Sequence, residues 1–494
     1  MRTTRATARA LQTILLCVGL AARLTASWAA EDRLAAEIEA ALADKRLAGA
    51  KVGVCVVTAD SAQVSYRRCA MEPLIPASNQ KLIAAAAALR GLGLDYEFKT
   101  SLLAAGEVDR RRGALRGDLI FQGGGDPTFG SPTMGERPLA QFERWADVLR
   151  EQGVQCITGD LVLDDSFFDR EHVHPDWPRD QLWRHYCAPV GALALQDNCV
   201  LVGVKPNKGA GQKAVVTLSP PCALLSATVE CKTSTKRHVI RFDRKPGSAL
   251  VQVDGFVRAN TAGYQGLVSV PDPAMFAGEA FAEVLKDKGV RLEGKVRLVT
   301  AEDIPRRKGW RSLAVRRTPL RDVLRVMLRE SQNMYAEAVI KTVGAELEGE
   351  GSWKAGLRRV GKMLEQIHFR ADEFTLADGS GMSRNNRVPP GLLCVLMLEM
   401  AREQYGGALE QLLAAPGDSG TLENRFKDPA YADRLRAKTG YLSGVGALSG
   451  YAKTKSGREV TFSILINDFH SREGNWAMKQ IEDRIARAVV DHAQ

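Results

Sequence analysis

The sequence predicts an α/β protein in which one mixed domain is split by a large β-rich insertion. Two observations carry that reading. Helical periodicity near the N-terminal side fades at about Tyr96 and returns only near Leu320. Between those points lie short strand-like runs punctuated by Gly, Pro and Asp. A third observation bounds it: 45% hydrophobic and 26% charged residues is the balance of a folded chain, which excludes disorder, collagen and coiled coil as the main architecture. The 494 residues leave room for about three domains at ~150 residues each.

Taken in order, Arg2, Arg5 and Arg9 precede a short apolar stretch at 11–20, and Ser27 and Ala29 offer small residues for cleavage. Residues 1–29 therefore read as a signal peptide, which implies an exported protein of the periplasm or extracytoplasmic cell envelope. No later segment reaches ~18 uninterrupted apolar residues, so at most peripheral membrane contact is expected. Residues 31–47 read as a helix with Leu34, Ile38 and Leu42 on one face. Strands follow at 51–58 and 63–68, then a buried Ala-rich helix at 81–92. Strand-like runs occupy 118–122, 159–163, 200–204, 214–218, 238–242, 249–253 and 290–299. Helices resume at 322–343, 354–367 and 391–403. Strands at 446–454 and 459–467 and a helix at 477–490 close the chain. The domains expected are 30–95 with 307–494 as the main domain, and 96–306 as one or two inserted modules.

Formal charge is +10, and Arg2, Arg5, Arg9 and Arg23 supply four of those charges. The longest basic run, Arg110-Arg111-Arg112, is too short to track a phosphate backbone, so no nucleic-acid partner is expected. Beyond Cys17 there are eight cysteines and no CxxC pair, which gives no support to a zinc ribbon or redox motif. Cys55 and Cys69 flank a turn and could pair, as could Cys222 and Cys231; the remainder are compatible with free buried thiols. Cys394 lies in an apolar run and reads as core. His172-x-His174 offers two ligands without a third, so no metal is expected, nor any cofactor. Gly417-Asp418-Ser419-Gly420 lacks the histidine and aspartate contexts of a triad and reads as a turn.

Three short motifs carry chemistry. Ser78 and Lys81 are three apart at the start of the Ala-rich helix, so they share a face. A serine hydroxyl needs a base to become a nucleophile, and a lysine can be that base once its proton is gone. Alone, S-x-x-K is also what a plain capped helix looks like. Ser331-Gln332-Asn333 follows an amphipathic segment, and Lys438-Thr439-Gly440 opens a strand-like stretch through Tyr441. Ser331 offers a hydroxyl that can relay a proton, and the Asn333 amide can hold a substrate backbone group. Lys438 and Thr439 offer a cation and a hydroxyl to a carboxylate, while Gly440 removes a side chain where a ligand must come close.

S-x-x-K, S-x-N and K-T-G in this chain order resemble the motif set of active-serine penicillin-recognising enzymes. The chain is similar to the class C low-molecular-mass penicillin-binding proteins, the D-alanyl-D-alanine carboxypeptidase/endopeptidase family. The likeness includes Pro76-Ala-Ser-Asn-Gln-Lys81, Gly124-Gly-Asp-Pro127, Gly159 to Asp165 with Phe168, Asp378-Gly-Ser-Gly-Met-Ser-Arg384, Gly420-Thr-Leu422 and Lys438 to Gly450. It implies a penicillin-binding-protein/β-lactamase-like transpeptidase fold, an antiparallel sheet flanked by helices, split by the insertion. It further implies Ser78 as nucleophile, Lys81 as its base, and Ser331 with Lys438 as proton donors to the leaving group. The backbone N–H groups of Ser78 and Tyr441 would form an oxyanion hole. Arg384 and Asp164 match positions near the family's peptide-binding region and are candidates for gripping a stem-peptide side chain. Ser443 stands where some relatives carry a longer polar residue. The implied substrates are peptidoglycan stem peptides, with β-lactams as acylating inhibitors. A serine β-lactamase and a non-catalytic cell-wall-binding protein are the alternatives.

Overall fold

The computed structural model describes residues 32–402, 405 and 407–493, so the signal peptide read at 1–29 lies outside the described residues. The chain divides into two compact units. One comprises residues up to Leu82 with Leu364–Thr375 and the chain from Asn386 onward; the other comprises Ile83–Met363 with Leu376–Asn385.

The first unit is built on a five-stranded antiparallel sheet. Its order is Leu435–Leu442, Val445–Lys453, Glu459–Asn467, Lys51–Thr58 and Val64–Arg68. Strand Glu459–Asn467 is buried at every residue after the first, which requires cover on both faces. On one side Phe462, Ile464, Ile466, Val54 and Val56 pack with Ile481, Ile485 and Val489 of helix Gly474–His492 and with Leu34 and Ile38 of helix 32–42. On the other, helix Pro390–Arg402 lies against Cys55 and Val57 through Cys394 and Leu398. Helices on both sides come close to the sheet at glycines: a Cβ on Gly446 would sit 2.8 Å from Glu482 Oε1, and one on Gly53 2.6 Å from Pro390 Cγ.

This arrangement decides the cysteines. Cys55 points into the layer under helix Pro390–Arg402, where Cys394 Sγ donates to the Cys55 carbonyl at 3.3 Å, whereas Cys69 is exposed beyond the strand end. Cys222 and Cys231 are free as well, Cys231 because its side chain belongs to the second unit's core. All eight described cysteines are thiols.

The second unit contains a seven-stranded sheet in which Glu97–Asp109 pairs antiparallel with Ala114–Gln122 and with Arg311–Pro319, and Leu161–Asp164 runs parallel to Ala114–Gln122. Four- and three-stranded sheets complete its β content. Two helices that the strand-like texture concealed, Ala140–Glu151 and Pro273–Asp287, pack on the large sheet. Their aromatic faces meet Phe121: Phe142 stacks on Phe281 at 4.6 Å, and Trp145 sits edge-on to Phe121 at 5.5 Å. Such pairs each contribute about 0.5–1.5 kcal/mol beyond their buried area. The helix expected at 322–343 is two helices, Leu320–Arg329 and Asn333–Glu348. The break is Ser331, whose φ of +60° cannot be helical. The strand expected at 290–299 is likewise two short pieces, Arg291–Leu292 and Val296–Leu298.

Candidate active site

Helix Gln80–Leu92 is Ala- and Leu-rich and buried from Gln80 to Leu89, as its apolar run from Leu82 to Leu89 requires. A 3-10 turn, Ala77–Asn79, leads into it. Ala77 has φ +45°, a left-handed conformation that costs about 1–3 kcal/mol for a side-chain-bearing residue and places Ser78 at the head of the helix. Ser78 is half-buried, while Lys81, one turn on, is wholly buried. Lys81 Nζ donates to Ser78 Oγ at 2.9 Å. The pairing expected from the three-residue spacing is therefore formed, between a wholly buried lysine and a partly exposed serine.

Strand Leu435–Leu442 runs alongside this turn. Asn79 Nδ2 donates to the Lys438 carbonyl at 3.0 Å and ties turn to strand. A Cβ on Gly440 would lie 3.0 Å from the Pro76 carbonyl oxygen and 3.0 Å from Ser78 N, tighter than ordinary carbon contacts. A side chain at Gly440 would therefore press on the Ser78 turn itself, whatever a ligand needs. Lys438 is fully buried and donates to the Thr439 carbonyl at 2.9 Å. Thr439 is half-buried and Tyr441 is half-exposed at 50%, so the strand turns from core to solvent over three residues. In the first unit the structure brings together Ser78, Lys81, Lys438, Thr439, Gly440 and Tyr441 along one turn and one strand.

The second unit holds the other candidates. Ser331 occupies the left-handed corner between two helices, half-buried. Asn333 opens the next helix; its Nδ2 donates to the Tyr186 carbonyl at 2.9 Å and lies 3.7 Å from Met382 Sδ. Both motif serines therefore sit at or beside a backbone in the left-handed region. Arg384 is exposed, at the end of a loop whose Ser383 hydroxyl donates to Asp176 at 2.5 Å. Asp164 is buried, accepting from Arg307 at 2.6 Å, Gln122 at 2.9 Å and the Ser166 hydroxyl at 2.7 Å. It lines a cleft of about 710 Å³ with Lys99 and Arg317, separate in the fold from Asn333 and Arg384. Among the described residues no three of His, Cys, Asp and Glu converge as a metal site. His174 instead packs edge-on against Trp353, ring centroids 5.1 Å apart.

Sequence reasoning passed over Glu337. It lies one turn beyond Asn333, is wholly buried, and accepts from the backbone N–H of Gly379 and Ser380 at 2.8 Å each and from Trp353 Nε1 at 2.8 Å. Burial, and then the neighbouring Asp378 charge, push its carboxyl above the usual range. A charged residue at helical spacing from a motif residue, inside an otherwise apolar run, was the available signal.

Comparison with known proteins gives a consistent answer. Residues 34–488 match the D-Ala-D-Ala carboxypeptidase 3 (S13) family. A D-alanyl-D-alanine carboxypeptidase of Actinomadura sp. (strain R39) is 33% identical over 488 residues, covering 95% of this chain and 86% of that one. The D-alanyl-D-alanine carboxypeptidase DacB of Haemophilus influenzae is 27% identical over 80% of this chain and 81% of its own. The crystal structure of penicillin binding protein 4 (dacB) from Haemophilus influenzae superposes with a TM-score of 0.78 at 24% identity, covering 90% of this chain and 98% of that one, a likeness of fold. With the family matched over nearly the whole described chain, this protein belongs to the D-Ala-D-Ala carboxypeptidase 3 (S13) family and is a serine-type hydrolase.

Proposed function

We propose that this enzyme is exported to the cell envelope, where it removes the terminal D-alanine of peptidoglycan stem peptides and cuts D-alanyl cross-links. We also propose that β-lactams acylate it. The carrying observation is the 2.9 Å contact between the buried Lys81 amine and the half-exposed Ser78 hydroxyl. In its neutral form Lys81 takes the hydroxyl proton as Ser78 Oγ attacks the carbonyl carbon of the penultimate D-alanine. The C–N bond then breaks, and the proton passes to the departing amine; by their motif positions Ser331 and Lys438 are assigned to that transfer. Backbone N–H groups of Ser78 and Tyr441 are assigned to the oxyanion, whose charge appears only at the transition state. Water next attacks the acyl carbon, and Ser78 recovers its proton. Asn333 and Thr439 are assigned to the substrate backbone and carboxylate, and Arg384 to the stem-peptide side chain. For Asp164, the donors already on its carboxylate, from Arg307, Gln122 and both the hydroxyl and the N–H of Ser166, support a scaffold role in the wall of its cleft over direct contact with substrate.

The test is incubation with a monomeric pentapeptide muropeptide and with a D-alanyl cross-linked dimer, each followed by mass. Loss of one alanine from the first and conversion of the second to monomers support both activities. Neither product, with the drug benzylpenicillin rapidly hydrolysed, would replace the proposal with a β-lactamase.

A further inference from the structure

The face of helix Asn333–Glu348 that begins with Asn333 continues, at four-residue steps, through Glu337 and Lys341, and all three side chains engage neighbours in the second unit. Lys341 is wholly buried between Asp169, at 2.6 Å, and the Glu171 carbonyl, at 2.7 Å, with its ammonium 3.9 Å above the Trp353 ring. Trp353 in turn donates its indole N–H to Glu337. The Glu337 carboxylate takes the N–H groups of Gly379 and Ser380. Asp378 takes the next two that point inward, Gly381 N at 2.8 Å and Ser383 N at 2.6 Å, and the indole N–H of Trp177 at 3.1 Å. Two buried carboxylates thus hold four backbone donors of a single loop, 378–385. That loop places Met382 beside the Asn333 amide and sends Arg384 to the surface. Glycine is demanded at position 379, where a Cβ would lie 2.5 Å from Ile340 Cγ1 and 2.8 Å from the Ala336 carbonyl oxygen.

We propose that Glu337 is a positioning residue: its carboxylate, backed by Trp353 and Lys341, clamps loop 378–385 and so sets where Met382 meets Asn333 and where Arg384 emerges. A carboxylate suits this work because in its ionised form it only accepts, and the backbone N–H groups and the Trp353 indole that converge on it favour that form against the burial that raises its pKa. A glutamine would turn an NH₂ group toward one of the two amides. Burying an acid away from water is expensive, and for Glu337 three converging donors, Gly379 N, Ser380 N and Trp353 Nε1, are what offset it.

The consequence for turnover rests on the peptidase reading; the consequence for the loop does not. Hydrogen exchange followed by mass spectrometry on peptides covering 378–385 compares wild type with Glu337→Gln, alongside steady-state hydrolysis of a D-Ala-D-Ala peptide and acylation by benzylpenicillin. In the variant the loop amides should exchange at least ~10-fold faster while strand Glu459–Asn467 keeps its protection. Peptide KM should rise about tenfold with kcat within about threefold, because binding groups are displaced while Ser78 and Lys81 are untouched. Glu337→Asp, which keeps the charge one methylene short, should show the same pattern at reduced size and replaces the glutamine variant if that one does not fold. Unchanged loop exchange in either variant would overturn the proposal. So would a parallel fall of kcat, kcat/KM and benzylpenicillin acylation with lost protection throughout, the mark of a merely structural residue. A wild type that neither turns over peptide nor takes up benzylpenicillin would refute the peptidase reading, and the exchange comparison would still decide the clamp.

Discussion

Lys81 in the first unit and Lys341 in the second are equally withdrawn from solvent, 0% exposed in each case, yet their surroundings differ in kind. Lys341 meets a carboxylate, a carbonyl and an aromatic face, so its charge is matched on several sides. Among the contacts of Lys81 is a hydrogen bond to the hydroxyl of Ser78, a residue that is itself partly exposed. A buried amine tied to an acid is a strut. One set against a serine at the head of a helix has its reactive partner turned toward whatever arrives from solvent. Burial alone does not separate the two roles; the chemical identity of the partner does.

The contrast predicts opposite signatures for the same substitution. Lys81→Met should slow acylation of Ser78 by about 10²–10⁴-fold with the melting temperature near that of wild type, because Ser78, a partner it leaves, is itself partly exposed. Lys341→Met should do the reverse, costing about 1 kcal/mol of stability by removing the Asp169 ion pair, the bond to the Glu171 carbonyl and the contact with the Trp353 ring, with acylation kept. Equal kinetic losses in both variants would erase the distinction. Gly440→Ala is the next effect in size. The added methyl presses on the Pro76 carbonyl and Ser78 N, so acylation should fall about 10–100-fold through displacement of the Ser78 turn. A normal rate would mean that the turn yields without cost.

The smallest effect sharpens the comparison with a pair of acids. Glu337 is held by backbone donors, whereas Glu482 is buried beside Arg425, whose Nη2 donates to it at 2.9 Å. Burial pushes the Glu482 carboxyl up to about 7 from an ordinary 4.5. The folded chain therefore keeps a proton that the unfolded chain releases, and the associated stability, full below about pH 4.5, is lost as pH climbs toward 7. Glu482→Gln cannot ionise, so its stability relative to wild type should improve between pH 5 and 8 by about 1–3 kcal/mol, read as Tm against pH. Parallel curves for the two proteins would place the Glu482 ionisation elsewhere.

Much of the first unit was legible because its signals are local. The run Lys51–Thr58 and the run Glu459–Asn467 are rich in Val, Ile and other apolar residues with turn residues at both ends, and both strands have the bounds read from sequence. Ser78 and Lys81 were legible from helical spacing. The second unit was harder, because there tertiary context overrides texture. Helix Ala140–Glu151 carries Phe142, Trp145, Ala146 and Leu149 at helical spacing, and Asp272 caps helix Pro273–Asp287 by accepting from Met275 N at 3.0 Å. Both signals were present but sat among strand-like neighbours. The long strand Glu97–Asp109 ends in a polar tail outside the reach of simple alternation. The break at Ser331 was hidden for another reason: periodicity reports which faces are apolar and is blind to a single left-handed residue between two helices. Glu337 was hidden because two of its partners are backbone N–H groups of a loop 42 and 43 positions away and the third is the indole of Trp353 on the next helix.

The central claim, that Ser78 is a nucleophile poised by Lys81, is tested most directly by the intact mass of the purified protein before and after benzylpenicillin, with Ser78→Ala in parallel. The account predicts a stable gain of one benzylpenicillin in wild type and none in the variant. Equal labelling of both proteins, or no adduct in wild type whether the drug is left intact or consumed, would contradict it.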